Sequence, residues 1–118
     1  MNAISDILIH PGDGEFDRYL TGWNTRIVHR PDYIVAARTP EQIEDAVRFA
    51  AERRLPIHVQ STGHGALAVC TGGLLIDCSG IAGIEIDSSR KSALVGPGTR
   101  WQDLLNAAQK HGLAGLAG

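Results

Sequence analysis

Val59-Gln60-Ser61-Thr62-Gly63-His64-Gly65, continued by Ala66 to Gly73 and then Leu74-Leu75-Ile76-Asp77, decides how this chain reads. A short apolar strand enters a glycine-rich loop with one histidine at its centre, and a second apolar strand leaves it. Glycine reaches backbone conformations closed to other residues, so such a loop can turn successive N–H groups toward one anion. His64 then stands beside whatever molecule carries that anion.

Upstream of the loop, Tyr33-Ile34-Val35-Ala36-Ala37 has the composition of a buried strand, and a helix follows it. Thr39 is a good N-cap, Pro40 suits the first helical position, and Gln42 stands where a capping-box partner would. Ile43, Ala46, Val47 and Ala50 recur at helical spacing, with Glu41, Glu44, Asp45, Arg48 and Glu52 on the opposite face. Arg53-Arg54 complements the negative end of the helix dipole, and Pro56 stops the helix before Ile57-His58-Val59-Gln60. Strand, helix and strand in this order predict a βαβ unit with parallel strands. The loop then lies at the carboxyl end of the second strand, where open α/β sheets receive ligands.

Downstream, Ile84-Glu85-Ile86 and Ala93-Leu94-Val95 predict a hairpin around Asp87-Ser88-Ser89-Arg90-Lys91. Gly96-Pro97-Gly98 leads into a second helix, with Thr99 expected as its cap and Gln102 closing a capping box. Trp101, Leu104, Leu105 and Ala108 form its expected inner stripe, and Gly112 its left-handed stop. Leu113 to Gly118 reads as the approach to a further element. Before residue 31 the periodicity is weak: Pro11-Gly12-Asp13-Gly14 is a turn, and Glu15 to Leu20 predicts a short helix turning Phe16, Tyr19 and Leu20 inward. Trp23 and His29 read there as packing or surface residues.

A chain of 118 residues with a net charge of −2 and no block of lysine or arginine argues against nucleic acid or an anionic membrane as partner. Met1 to Pro11 has neither the basic nor the apolar region of a signal peptide, and the uncharged run from Leu55 to Ile76 is too interrupted to span a membrane. Cys70 and Cys78 lack metal-ligand spacing and read as reduced thiols, which fits a cytoplasmic protein. The histidines show no zinc-ligand spacing, so no metal site is expected.

Other ligand motifs fit poorly. In a dinucleotide fingerprint at Gly96-Pro97-Gly98, Trp101 would occupy the third glycine position, and Pro97 has no N–H to offer a phosphate. No Walker lysine is present in the glycine-rich segment, and Ser61 lacks the surroundings of a triad nucleophile. Asp77 reads as a structural strand-end residue.

The segments from Val59 to Gly65, from Gly72 to Ile81, and from Val95 to Leu104 together resemble the p-cresol methylhydroxylase-type FAD-binding domain. That domain belongs to the vanillyl-alcohol oxidase and berberine bridge enzyme-like FAD-linked oxidases. Trp23-Asn24, Arg30-Pro31 and the helix from Pro40 resemble its opening, and Gly112-Leu113-Ala114 its continuation, so the resemblance runs in order along nearly the whole chain. It implies FAD as cofactor, with Gln60, Ser61, Thr62, Gly63, His64 and Gly65 around the pyrophosphate. It also implies that His64 is the covalent attachment point to the flavin 8α-methyl carbon. Relatives often carry arginine at the Gln60 position and glycine at that of Thr62, so phosphate binding here would rest on backbone dipoles within a stiffer loop.

The expected fold is therefore α/β (α+β): a βαβ unit with its FAD loop, then a hairpin and a helix. Residues 1–30 are expected to be an N-terminal extension, and residues 31–118 the N-terminal portion of the domain, truncated at its C-terminus. The implied activity of the complete protein is FAD-dependent oxidation of a small alcohol, amine or sugar, with hydride passing to flavin N5 and O₂ reoxidising the cofactor. The catalytic groups are expected outside this chain. Two alternatives stay open: a non-catalytic interaction module that forms homo-oligomers, and a simple nucleotide- or phosphate-binding domain.

Overall fold

The computed structural model describes residues 4–116. Residues 1–3 of the segment read above as lacking a signal peptide, and 117–118 of the tail expected to approach a further element, lie outside the described residues. Its centre is a four-stranded sheet in the order β1-β2-β4-β3, with β1 Leu8–Ile9, β2 Tyr33–Ala36, β3 Ile57–Gln60 and β4 Leu74–Asp77. β2 and β3 each pair in parallel with β4, which lies between them, while β1 adds to β2 antiparallel in the register Leu8↔Val35. The expected parallel arrangement of β2 and β3 is present. The interposed β4 and the edge strand β1 are what the tertiary structure adds.

β4 has a covered face on each side, which explains its unbroken apolar run Leu74-Leu75-Ile76. Leu74, Ile76 and Cys78 point with Val35 and Ala37 toward helix α1, Pro40–Arg53, and pack on its Ala46, Phe49 and Ala50. Leu75 points the other way and joins Ile34, Ile9, Phe16 and Cys70 under the N-terminal segment. Phe16 and the partly buried Tyr19 come from a 3₁₀ turn, Phe16–Tyr19, and the partly buried Leu20 caps its end, at the place where a short helix was expected.

Helix α1 begins as the sequence predicts. The Gln42 N–H donates to Thr39 Oγ1 at 3.2 Å, and Gln42 Oε1 accepts from the Arg38 N–H at 2.8 Å. Its inner stripe differs in one position: Val47 is 46 % exposed, and Phe49 is buried instead. Ala46, Phe49 and Ala50 share the stripe that meets β4, and the larger ring fills the space between helix and sheet. Tyr33 meets the Phe49 ring edge-on, and the Arg53 guanidinium lies 4.0 Å from its centroid.

Strands β5 Ile84–Asp87 and β6 Ser92–Val95 form the expected hairpin, paired Ile84↔Val95 to Asp87↔Ser92. Asp87 accepts from the Ser89 hydroxyl and from the Arg90 and Ser89 N–H groups, and these bonds hold its carboxyl below the usual carboxylate range. Helix α2, Trp101–Gln109, follows. Thr99 does not cap it. Its hydroxyl is committed to the base of the hairpin, donating to Gly83 O and accepting from Gly83 N–H, so Arg100 occupies the cap position without a side-chain bond. Gln102 likewise closes no capping box and donates instead to Asn106 Oδ1 one turn on. Leu104 and Ala108 are buried as expected, whereas Trp101 is 47 % exposed. Gly112 (φ +67°) ends the helix with the Leu113 N–H returning to Ala108 O, the expected left-handed stop.

Candidate functional site

Because β3 and β4 are adjacent and parallel, the chain must return along the whole sheet between them. Such crossovers are usually helical, and a helix satisfies its own backbone and docks an apolar face. Here residues 61–73 make the return without a regular element, and other parts of the chain hold it in place. Its first part lines, with the end of β3, an open cleft of about 470 Å³ bounded by residues 58–68.

All six residues expected at the site lie in this cleft, in distinct roles. Gly63 takes φ +72°, and a Cβ there would stand 2.8 Å from the Cα of Gly22. The reverse also holds: a Cβ on Gly22 would lie 2.7 Å from the Cα of Gly63. Two glycines therefore let two backbones cross in contact, and the Trp23 N–H secures the crossing by donating to Thr62 O at 2.6 Å. Thr62 Oγ1 accepts from the His64 N–H at 3.2 Å. Ser61 Oγ donates to Pro97 O at 2.7 Å, joining the loop to the turn before α2. The His64 imidazole is exposed, and its nearest ring neighbour is the Trp23 indole, centroids 6.2 Å apart and edge-on.

Gln60 is buried, and its amide faces inward. Its Nε2 donates to Tyr19 O at 3.0 Å, so its Oε1 is the acceptor for His29 Nε2, also at 3.0 Å. His29 Nδ1 in turn accepts from the Cys70 N–H at 2.9 Å. These bonds run in one direction, from Cys70 through His29 and Gln60 to Tyr19, and assign the Nε2–H tautomer to His29. The His58 ring lies 4.7 Å from that of His29, and its pKa is pushed down by burial and, secondarily, by His29. Burial pushes the Cys70 thiol up, with Asp32 adding to the effect, and burial and Asp77 do the same for Cys78. Both cysteines are free and buried, as expected of reduced thiols. Asp77 Oδ1 accepts from the N–H and the hydroxyl of Ser79 at the end of β4.

Gly22, Trp23 and His29 are the site-forming residues that sequence reasoning missed. Their partners lie 31 to 41 residues away, and the only local signal was a histidine following the apolar pair Ile27-Val28 on the approach to β2.

The loop can hold an anion by its backbone. Among the described residues, the N–H groups of Thr62, Gly63 and Gly65 meet no acceptor. Among the described residues no carboxylate lines the cleft to repel negative charge, and no lysine or arginine lines it to attract it. Among the described residues no three histidine, cysteine or acidic side chains gather as a metal site would need, and no helix is long and apolar enough to cross a membrane.

Residues 31–116 match the FAD binding domain family. The chain belongs to that family. The (R)-6-hydroxynicotine oxidase of Paenarthrobacter nicotinovorans is 32 % identical over 118 residues, covering 98 % of this chain and 26 % of that protein. An FAD-linked oxidoreductase of Neurospora crassa is 32 % identical over 100 residues, covering 80 % of this chain and 19 % of its own length. Among solved structures, 6-hydroxy-D-nicotine oxidase from Arthrobacter nicotinovorans superposes with a TM-score of 0.81 at 33 % identity, covering 94 % of this chain and 25 % of that one. Phl p 4, a grass pollen allergen with glucose dehydrogenase activity, shares the fold at a TM-score of 0.73 and 20 % identity, over 90 % of this chain and 24 % of its own. The chain thus spans about a quarter or less of the length of these relatives.

FAD is therefore the cofactor, and the fold is part of the p-cresol methylhydroxylase-type domain. The loop offers what a diphosphate would need: unengaged amide N–H groups, a glycine cradle and, among the described residues, no opposing carboxylate.

Proposed function

We propose that this chain is the FAD-holding part of an oxidoreductase that removes hydride from a small organic alcohol, amine or sugar. The observation that carries this reading is the cradle of free amides at Thr62, Gly63 and Gly65, just past the end of β3, in a chain of the FAD-binding family. In it, Thr62, Gly63 and Gly65 hold the diphosphate by backbone N–H groups, Ser61 ties the loop to Pro97, and Gln60 supports it from below. His64 is the covalent tether: its ring is exposed at the mouth of the cleft and has no hydrogen bond to other described residues, so it is free to meet the flavin. The flavin supplies the hydride acceptor, N5, and O₂ its reoxidation. A relative matched both by sequence and by solved structure is named as an oxidase of a hydroxynicotine, which supports an amine as one member of the substrate class. The free thiols of Cys70 and Cys78 support a cytoplasmic location.

Purification with added FAD followed by acid precipitation tests the reading. Yellow colour retained in the pellet of the wild type and lost in His64→Ala is the expected result. Flavin that binds but washes out with acid would refute the tether and leave the cradle standing; no flavin uptake at all would refute both for this chain.

One observation favours a second reading, a self-associating module. β3 is an edge strand whose Ile57 and Val59 are 40 % and 59 % exposed, with Leu67 beside them at 96 %. A concentration-dependent dimer in light scattering that Val59→Lys abolishes would support it, and a monomer at every concentration would reject it.

A further inference from the structure

We propose that His29 is a positioning residue for the FAD loop, clamping both stems of the helix-free crossover so that its amide cradle stays formed before FAD arrives. The proposal rests on the reading of residues 60–65 as the diphosphate loop. Its basis is the placement of one buried imidazole between two points ten residues apart on the loop. Nε2 holds Gln60, the last residue of β3, and Nδ1 holds the Cys70 N–H, on the return toward β4.

Several features support a clamp rather than ordinary core packing. His29 is 1 % exposed, yet both ring nitrogens are spent on the loop's two stems, Nε2 on Gln60 where β3 ends and Nδ1 on Cys70, and neither on α1. The same segment makes further main-chain bonds to the crossover. Arg30 N–H donates to Cys70 O at 2.7 Å, the Gly72 N–H donates to Arg30 O at 2.9 Å, and Trp23 N–H donates to Thr62 O. Asp32 Oδ2 accepts from the Gly73 N–H at 2.7 Å. Residues 22–32 thus supply the hydrogen bonds that a crossover helix would otherwise make within itself. A loop held in advance binds its ligand without first giving up conformational freedom, so the clamp acts on FAD affinity through the loop and touches no reacting atom.

Two substitutions each cut one arm of the clamp. In His29→Asn the side-chain oxygen can still accept from Cys70 N–H, but the side chain is too short to reach Gln60. In His29→Gln the terminal NH₂ can still donate to Gln60 Oε1, but the acceptor for Cys70 is lost. Amide hydrogen exchange of the FAD-free full chain is read by mass spectrometry, and FAD affinity by flavin fluorescence in a His64→Ala background where binding stays reversible, with far-UV circular dichroism reporting the fold. We expect faster exchange confined to the Gln60 stem in His29→Asn and to the Cys70 stem in His29→Gln. FAD affinity falls about tenfold in each, the factor for losing one buried hydrogen bond. A folded variant with wild-type exchange in residues 60–71, or a uniform increase across the sheet and α1, would overturn the clamp. If the wild type takes up no FAD, the diphosphate reading fails while the exchange pattern still decides the clamp. If a variant does not fold, Gln60→Glu, which keeps an acceptor for His29 but cannot donate to Tyr19 O, replaces it. A clamp predicts unchanged exchange around Cys70 in that variant, and loss of protection there would count against it.

Discussion

Gly63 and Gly65 flank the same histidine, and substituting alanine at each separates two physical demands on the loop. Gly63 sits at φ +72°, where an L-residue loses about 1–2 kcal/mol through the clash of its Cβ with its own backbone. The new Cβ would also lie 2.8 Å from Gly22 Cα. Relieving that contact means lifting the 22–23 backbone, and with it the 2.6 Å bond from the Trp23 N–H to Thr62 O, worth about 1 kcal/mol. Gly63→Ala is therefore expected to destabilise the chain by about 2–3 kcal/mol. Gly65 has nothing within 4 Å of its virtual Cβ and no positive φ. Gly65→Ala is expected to stay within ~0.5 kcal/mol of wild type, or to gain up to ~1 kcal/mol by restricting the unfolded chain. Urea unfolding followed by tryptophan fluorescence and far-UV circular dichroism measures both. Equal losses at the two positions, or Gly63→Ala within ~0.5 kcal/mol of wild type, would refute the crossed-backbone account.

Three further predictions concern groups around the same sheet. Leu75→Ala is expected to cost about 2–5 kcal/mol in urea unfolding, because Leu75 is fully buried in a cluster with Ile34, Ile9 and Phe16 and its truncation removes those contacts. The His58 ring has a folded pKa below its ordinary 6.5, so the unfolded chain takes up a proton before the folded one does as pH falls through that value. Stability is thus complete above 6.5 and declines below it, and urea midpoints at pH 7.5 and 5.5 should differ less in His58→Gln than in wild type. Cys70 and Cys78 should resist alkylation by iodoacetamide at pH 7.5 in the folded chain and react rapidly in urea, since burial and a nearby carboxylate hold each thiol protonated.

Much of the fold is legible in the order of residues because it depends on short-range rules. Thr39, Pro40 and Gln42 specify the start of α1 within one turn, and Gly112 specifies the end of α2 by tolerating φ +67°. The apolar run Leu74-Leu75-Ile76 announces a strand covered on two faces, and both faces are covered. Local rules misplace residues where a distant partner competes. Thr99 has the identity of a cap, but Gly83 takes its hydroxyl; Val47 has the periodicity of an inner residue, but Phe49 fills the space against β4. β1 is only two residues long, and only its pairing with β2 makes it a strand.

The glycine-rich loop shows the same division. The sequence by itself determined that an uncharged, histidine-bearing loop follows a strand and precedes a buried one, and that it carries the residues of an FAD-binding family. Chain identity and spacing suffice for that, since a nest of amides needs small residues in a row. Only the tertiary structure decided what keeps the loop in shape. Gln60 turns its amide inward to Tyr19 and His29, and Gly22 crosses Gly63 at backbone contact. Hydrogen bonds between residues some forty positions apart depend on how the sheet brings the segments together, and no local pattern encodes them. A crossover without a helix cannot satisfy its own backbone, so the N-terminal segment that looked peripheral supplies its support.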